Sequence, residues 1–116
     1  MATRLKNLSD GANQQIPSAS EFRFGIVVAD WNNEITGKLE EGAINILKSK
    51  GAQEDHILVN HVPGSIELTL GAQFMAEFQE LDAIICLGCV IQGETRHFDY
   101  VCDSVTQGIT QLNIKY

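Results

Sequence analysis

From position 21 onward the chain alternates between two kinds of hydrophobic pattern. The stretch "FRFGIVVAD" (22–30) is β-branched and aromatic, the composition of a strand. "NNEITGKLEEGAINILKSKG" (32–51) instead repeats apolar residues every three or four positions, at Ile35, Leu39, Ala43, Ile46 and Leu47, which predicts a helix. Asn32 or Asn33 is placed to cap its start and Gly51 to stop it. "HILVNHV" (56–62) reads as a second strand, closed by Pro63-Gly64. "SIELTLGAQFMAEF" (65–78) is helical, with Ile66, Leu70 and Phe74 on one side and Leu68, Ala72 and Met75 on another, so burial on two faces is expected. "DAIICLGCVI" (82–91) is a third strand, nearly all apolar. "RHFDYVCDSVTQGITQLNIKY" (96–116) carries Phe98, Val101, Val105, Ile109 and Leu112 in one stripe and is a third helix.

The order β-α-β-α-β-α predicts an α/β fold with a parallel sheet and right-handed crossovers. A strand as apolar as 82–91 is normally buried on both faces and paired on both edges. Three strands do not cover it comfortably, so completion by a further C-terminal segment or by another chain is expected. Residues 1–20, "MATRLKNLSDGANQQIPSAS", are polar with no sustained period; they read as an arm, flexible or ordered by a partner, ahead of a domain over 21–116.

Composition narrows the function. A chain of 116 residues is about one domain. Its net charge of −7 disfavours nucleic acid, because backbone binders carry basic patches, but leaves room for a small anion held by local groups. No run of eighteen apolar residues is present to span a membrane, and the N-terminus does not read as a signal peptide, so the expected location is cytoplasmic. "CLGC" invites a metal reading for Cys86, Cys89 and Cys102. Strand positions three apart point to opposite faces, and no second pair or nearby His completes a zinc set, so no metal is expected and the thiols read as packing.

In open parallel sheets ligands bind beyond the carboxyl ends of the strands. Asp30-Trp31-Asn32 follows the first strand, Pro63-Gly64-Ser65-Ile66-Glu67 the second and Gln92-Gly93-Glu94-Thr95-Arg96-His97 the third. All three segments share one rim and wall one pocket. Gly93 lets a ligand approach the backbone. Glu94 and Thr95 open a helix whose free N–H groups and positive end suit an anion, although Thr95 is equally a plain helix cap. Next to them is His97, where the helix end and burial favour a neutral imidazole able to accept a proton; an ordinary polar histidine is the alternative. His56 and His61, at the two ends of the second strand, read as ordinary polar residues. Trp31 is the one tryptophan and either stacks on a planar heterocycle or packs at an interface. Glu67 accepts from hydroxyl groups or is a solvated first-turn carboxylate. Cys89, Val90 and Ile91 offer main-chain groups to a planar ligand edge, or simply end a strand.

"VPGSIEL" followed by "LGCVIQGETRHFDYVCDSVTQGI" closely resembles the 6,7-dimethyl-8-ribityllumazine synthase family of riboflavin biosynthesis, and the similarity runs from about Phe24 to the last residue, including "DWNNEITGKLEEGA". The resemblance implies a three-layer flavodoxin-like fold. It also implies a transferase that condenses 5-amino-6-(D-ribitylamino)uracil with 3,4-dihydroxy-2-butanone 4-phosphate, releasing phosphate and water, without a metal or redox cofactor. By matching motif, Trp31 takes the place of the aromatic that stacks on the pyrimidine. Ser65, Ile66 and Glu67 match the segment that holds the ribityl chain, and Cys89, Val90 and Ile91 the segment that reads the uracil edge. Glu94 and Thr95 match the phosphate-binding pair, and His97 the proton-transfer histidine.

There are departures. Ser65-Ile66 stands where many relatives have Ala and an aromatic, and Gln92 where many have a basic residue. Family chains continue through a fourth strand and terminal helices, which supply an aromatic to the neighbouring subunit's site and an arginine for the phosphate. This sequence is therefore expected to be weakly active or inactive by itself. The family forms pentamers, sometimes stacked into sixty-subunit shells, with the arm 1–20 paired with an adjacent subunit's sheet. Two other readings are a non-catalytic assembly or flavin-like ligand-binding module of the same fold, and a generic flavodoxin-like phosphate binder, which would not need His97 and Glu67 together.

Overall fold

The computed structural model describes residues 15–116; residues 1–14, most of the expected arm, lie outside the described residues. The elements are β1 (Phe24–Ala29), α1 (Asn33–Ser49), β2 (Ile57–Val62), α2 (Leu68–Phe78), β3 (Ala83–Leu87) and α3 (His97–Lys115), with 3₁₀ turns at Glu54–His56 and Ser65–Glu67. The strands are parallel in the order β2-β1-β3, with Ile26 of β1 opposite Val59 and Ile85. Chain direction across the sheet reverses between the first crossover and the second. Right-handed connections then put α1 on one face and α2 with α3 on the other, giving three layers. The expected flavodoxin-like α/β fold is the observed one.

β1 lies between the other two strands, and its Ile26, Val27, Val28 and Ala29 are sealed from solvent. Val27 and Ala29 pack with Leu68, Ala72 and Met75 of α2, with Leu58, Ile84 and Leu112 at the margin. Full burial of each large side chain stabilises the fold by roughly 1.5–3 kcal/mol. The α3 stripe also turns inward: Val101 is buried and Phe98, Val105, Ile109 and Leu112 are half-buried.

The structure corrects or refines three sequence readings. First, α2 is buried on one face only, because Ile66, Leu70 and Phe74 are about half exposed. Second, the apolar set of α1 divides: Ala43 and Leu47 are half-buried, Ile35, Leu39 and Ile46 are exposed, and the buried residue of the helix is Thr36. Three strands occupy only part of that set. Third, β3 stops at Leu87 rather than Ile91. The ladder to β1 ends with Val28 opposite Leu87, because the next residues of β1 turn to β2 instead: Asp30 N–H donates to the Val62 carbonyl at 2.8 Å. Gly88 to Arg96 then form an irregular loop, and Glu94 and Thr95 precede the helix, which begins at His97.

Helix α1 ends in a Schellman motif. The Ala52 N–H bonds the Leu47 carbonyl and the Gly51 N–H the Lys48 carbonyl, with Gly51 at φ +99°. The last residues of the expected arm are fastened to this corner of their own chain, through Ala19 N–H to the Lys50 carbonyl and Gln53 Nε2 to the Ser20 carbonyl. Among the described residues no helix is long and apolar enough to cross a membrane.

Candidate active site

In a 2-1-3 sheet the crevice opens beyond the carboxyl ends of β1 and β3, where the connections leave in opposite directions. A cavity of about 320 Å³ lies there. That volume is in the range of small-molecule sites. Trp31 comes to it from the turn after β1, Gly64 to Glu67 from the turn after β2, and Cys89, Val90 and Ile91 from the loop after β3. His97, Phe98 and Val101 line it from the first turns of α3.

The loops are stitched together at Cys89. Its carbonyl accepts from the buried Ser65 hydroxyl at 3.3 Å, and its Sγ lies 3.9 Å from Asn32 Nδ2. Asn32 therefore sits at the cap position of α1 without capping it. It adopts the left-handed conformation, φ 57° and ψ 53°, and sends its amide across to the third loop. That conformation is one that Asn tolerates and most residues do not. Asp30 and Trp31 continue the β1–β2 zipper by bonding the Val62 and Pro63 carbonyls, at 2.8 and 3.0 Å. The indole is thus carried by a backbone fixed on both sides while remaining about half exposed at 51%.

Glu67 stands at the cavity edge, where its Oε2 accepts the Gly64 N–H at 3.0 Å. This is the capping use of a first-turn carboxylate, and it leaves lone pairs free for ligand hydroxyls. Thr95 Oγ1 accepts the His97 N–H at 3.4 Å, again a cap. Glu94 and Thr95 are exposed and stand outside the cavity lining, one turn from His97, so the structure brings eight of the ten expected site residues to one cavity and leaves these two at its margin. His97 itself is exposed rather than buried. Gly88 and Gly93 differ in kind. A Cβ at position 88 would lie 2.8 Å from both Leu68 Cδ1 and Ser65 Oγ, whereas one at 93 meets nothing within 4 Å. Packing demands the first glycine. The second leaves the rim open to a ligand.

Residues 21–116 match the family model of 6,7-dimethyl-8-ribityllumazine synthase. The chain belongs to the lumazine synthase family. A relative of that name from Parabacteroides distasonis is 57% identical over 116 residues, covering 100% of this chain and 72% of the relative. Those from Phocaeicola vulgatus and Porphyromonas gingivalis are 56% and 51% identical, covering 97% and 98% of this chain and 67% and 71% of their own lengths.

Within this cavity, sequence reasoning missed Phe98 and Val101, which it gave to the helix core. Val101 follows His97 by four positions, which puts it on the same side of α3 and was the available signal; the one-position step to Phe98 carried none. His61, read as an ordinary polar residue, stands outside the cavity lining, with its Nδ1 2.7 Å from Asp30 Oδ1. Nothing in a single sequence pairs residues 31 positions apart. The three thiols are free and half-buried, and burial pushes the Cys86 thiol up. A raised thiol in a strand is poorly reactive.

Proposed function

We propose that this cavity condenses 5-amino-6-(D-ribitylamino)uracil with 3,4-dihydroxy-2-butanone 4-phosphate to 6,7-dimethyl-8-ribityllumazine, releasing phosphate and water. The observation that carries the reading is the shared cavity of Trp31 and His97, which come from different ends of the chain and face one space. A flat π-face, a hydroxyl-binding edge and a proton acceptor are what a heterocycle with a polyol tail requires.

In this reading Trp31 stacks on the pyrimidine. Ser65, Ile66 and Glu67 hold the ribityl chain, and the main chain of Cys89, Val90 and Ile91 reads the uracil edge. Glu94 and Thr95, with the first N–H groups of α3, receive the phosphate. The uracil amine attacks the ketone and loses water to give an imine; phosphate leaves by elimination; ring closure with loss of water gives the bicyclic product. His97 takes and returns protons in these steps. No step requires a net change of oxidation state, so the chemistry calls for no redox cofactor. Copies of the chain associate into pentamers or sixty-subunit shells, a reading supported by the exposed apolar rows of α1 and α2.

The test mixes the purified chain with both substrates and follows lumazine absorbance against a no-protein blank, since the condensation also runs slowly unaided. His97→Ala is expected to lower kcat by about 100-fold or less, the low end for acid–base catalysis, because holding two reactants together survives the change. Turnover equal to the blank for the unmodified chain, both alone and with a C-terminally extended version, would sink the catalytic reading.

A further inference from the structure

Two acidic residues flank the Trp31–Asn32 turn. Asp30 precedes it at the end of β1, and Glu40 follows it in the second turn of α1. Between these two carboxylates sits one imidazole: His61 Nδ1 is 2.7 Å from Asp30 Oδ1 and Nε2 is 3.4 Å from Glu40 Oε1. His61 projects from β2, opposite Val28, so three elements meet on a single ring.

We propose that His61 is the positioning residue for Trp31, its imidazolium bridging Asp30, just before the Trp31–Asn32 turn, to Glu40 in the helix that follows it, and holding the indole against the cavity. The chemistry of the ring sets the condition. Doubly protonated, it donates one N–H to each carboxylate. When neutral it has one N–H only, so one nitrogen lone pair faces a carboxylate oxygen and that contact is lost. Deprotonation releases the longer bond, to Glu40, and with it the anchor on α1. It also removes the positive charge that keeps Asp30 and Glu40 from repelling each other. The charged groups facing His61 are Asp30 from the end of β1 and Glu40 from α1; its neighbours on β2, Asn60 and Val62, carry no charge. The hydrogen bond to Asp30, and less strongly the contacts with Glu40, raise the His61 pKa above its ordinary 6.5 against the opposing effect of desolvation. A raised folded-state value means that the bridge is complete below pH 6.5 and is lost as pH rises through the folded value.

Trp31 is the only tryptophan, so its emission reports this turn without added label. The chain is titrated from about pH 5.5 to about pH 8.5 while emission and acrylamide quenching are recorded. A single step is expected, with its midpoint above 6.5 and quenching greater on the alkaline side. His61→Gln removes the step and leaves the weakly held, readily quenched state throughout. Asp30→Asn and Glu40→Gln keep the histidine and move the midpoint down, Asp30→Asn by more, so the idea stays testable if His61→Gln does not fold, as judged by far-UV circular dichroism. His97→Gln, which alters the other imidazole of the cavity, leaves the step in place. A step that survives His61→Gln, or that vanishes in His97→Gln instead, overturns the proposal.

A second arm rests on the stacking role proposed for Trp31. At about pH 6.5, His61→Gln should raise KM for the ribitylaminouracil roughly three- to tenfold with kcat changed by less than about twofold. A His61-dependent emission step with unchanged KM retains the positioning and removes the stacking.

Discussion

A methyl group at position 88 has nowhere to go. It would stand 2.8 Å from Leu68 Cδ1, which is buried in the core, and 2.8 Å from Ser65 Oγ, whose hydroxyl bonds the Cys89 carbonyl. Both neighbours are side-chain ends, but Leu68 is held in the core and the Ser65 hydroxyl by its hydrogen bond. Gly88→Ala must therefore push the third loop away from the second, at a cost of about 1–3 kcal/mol, and the displacement falls on the cavity wall assigned to the ribityl tail. Chemical denaturation should show that loss, and KM for the ribitylaminouracil should rise while KM for the butanone phosphate, handled further along the loop, moves less. Gly93→Ala is the control. Its Cβ has open space, so stability should stay within about 0.5 kcal/mol of the parent, and a change in phosphate-substrate KM alone would mark position 93 as ligand-facing. The same scale explains why capping and binding readings did not compete. Glu67 and Thr95 both cap, and a carboxylate or hydroxyl with one acceptor site occupied retains others.

At the scale of the element, the sequence made the order and type of all six main elements legible, because strands of β-branched residues and helices of period 3.6 carry different patterns. It made much of the rim legible too, since topology alone puts the segments after Ala29, Val62 and Leu87 at one end of the sheet. What stayed hidden was which apolar positions of each helix meet the sheet. Periodicity gives α1 one apolar set, Ile35, Leu39, Ala43, Ile46 and Leu47, but not its neighbours, and in the structure Ala43 and Leu47 are half-buried while the other three are exposed. Thr36, fully buried with its hydroxyl 3.4 Å from the Asn32 carbonyl, is a core residue no hydrophobicity pattern would select. The ends of β3 were equally out of reach, because a ladder stops where its partner turns away, and that turn belongs to β1. Mutational stability should follow the observed burial. In urea, Ile26→Ala, at a position with no solvent exposure, should cost about 2–5 kcal/mol. Leu39→Ala should cost less than about 1 kcal/mol, as for a half-exposed side chain. Equal losses at the two positions would show that α1 packs by its Leu39 side.

For the whole molecule the notable quantity is the apolar surface left uncovered. Ile66, Leu70, Phe74 and Phe78 are 49%, 53%, 54% and 75% exposed, and the last three recur at intervals of four along α2, with the rings of Phe74 and Phe78 6.2 Å apart. A continuous aromatic-rich row of this kind has the make-up of a contact surface rather than of scattered exposure. The net charge of −7 opposes indiscriminate clumping, so association here has to come from shape-matched apolar patches strong enough to override like-charge repulsion. That balance predicts a discrete assembly that tightens with added salt, as screening weakens the repulsion and leaves apolar contact intact. Sedimentation should then give a species heavier than the 12.8 kDa chain, at a whole-number multiple of it. Phe78→Asp should shift that species to the single chain without unfolding it, since Phe78 contributes little to the core of its own copy. The cavity gives the assembly a consequence for chemistry: Trp31, Ile91 and His97 all face solvent in one copy, and a neighbour laid over them would exclude water from the reacting groups. Specific activity should therefore fall on dilution in step with dissociation, and a chain that sediments at 12.8 kDa at every concentration and salt while keeping constant specific activity would rule the assembly out.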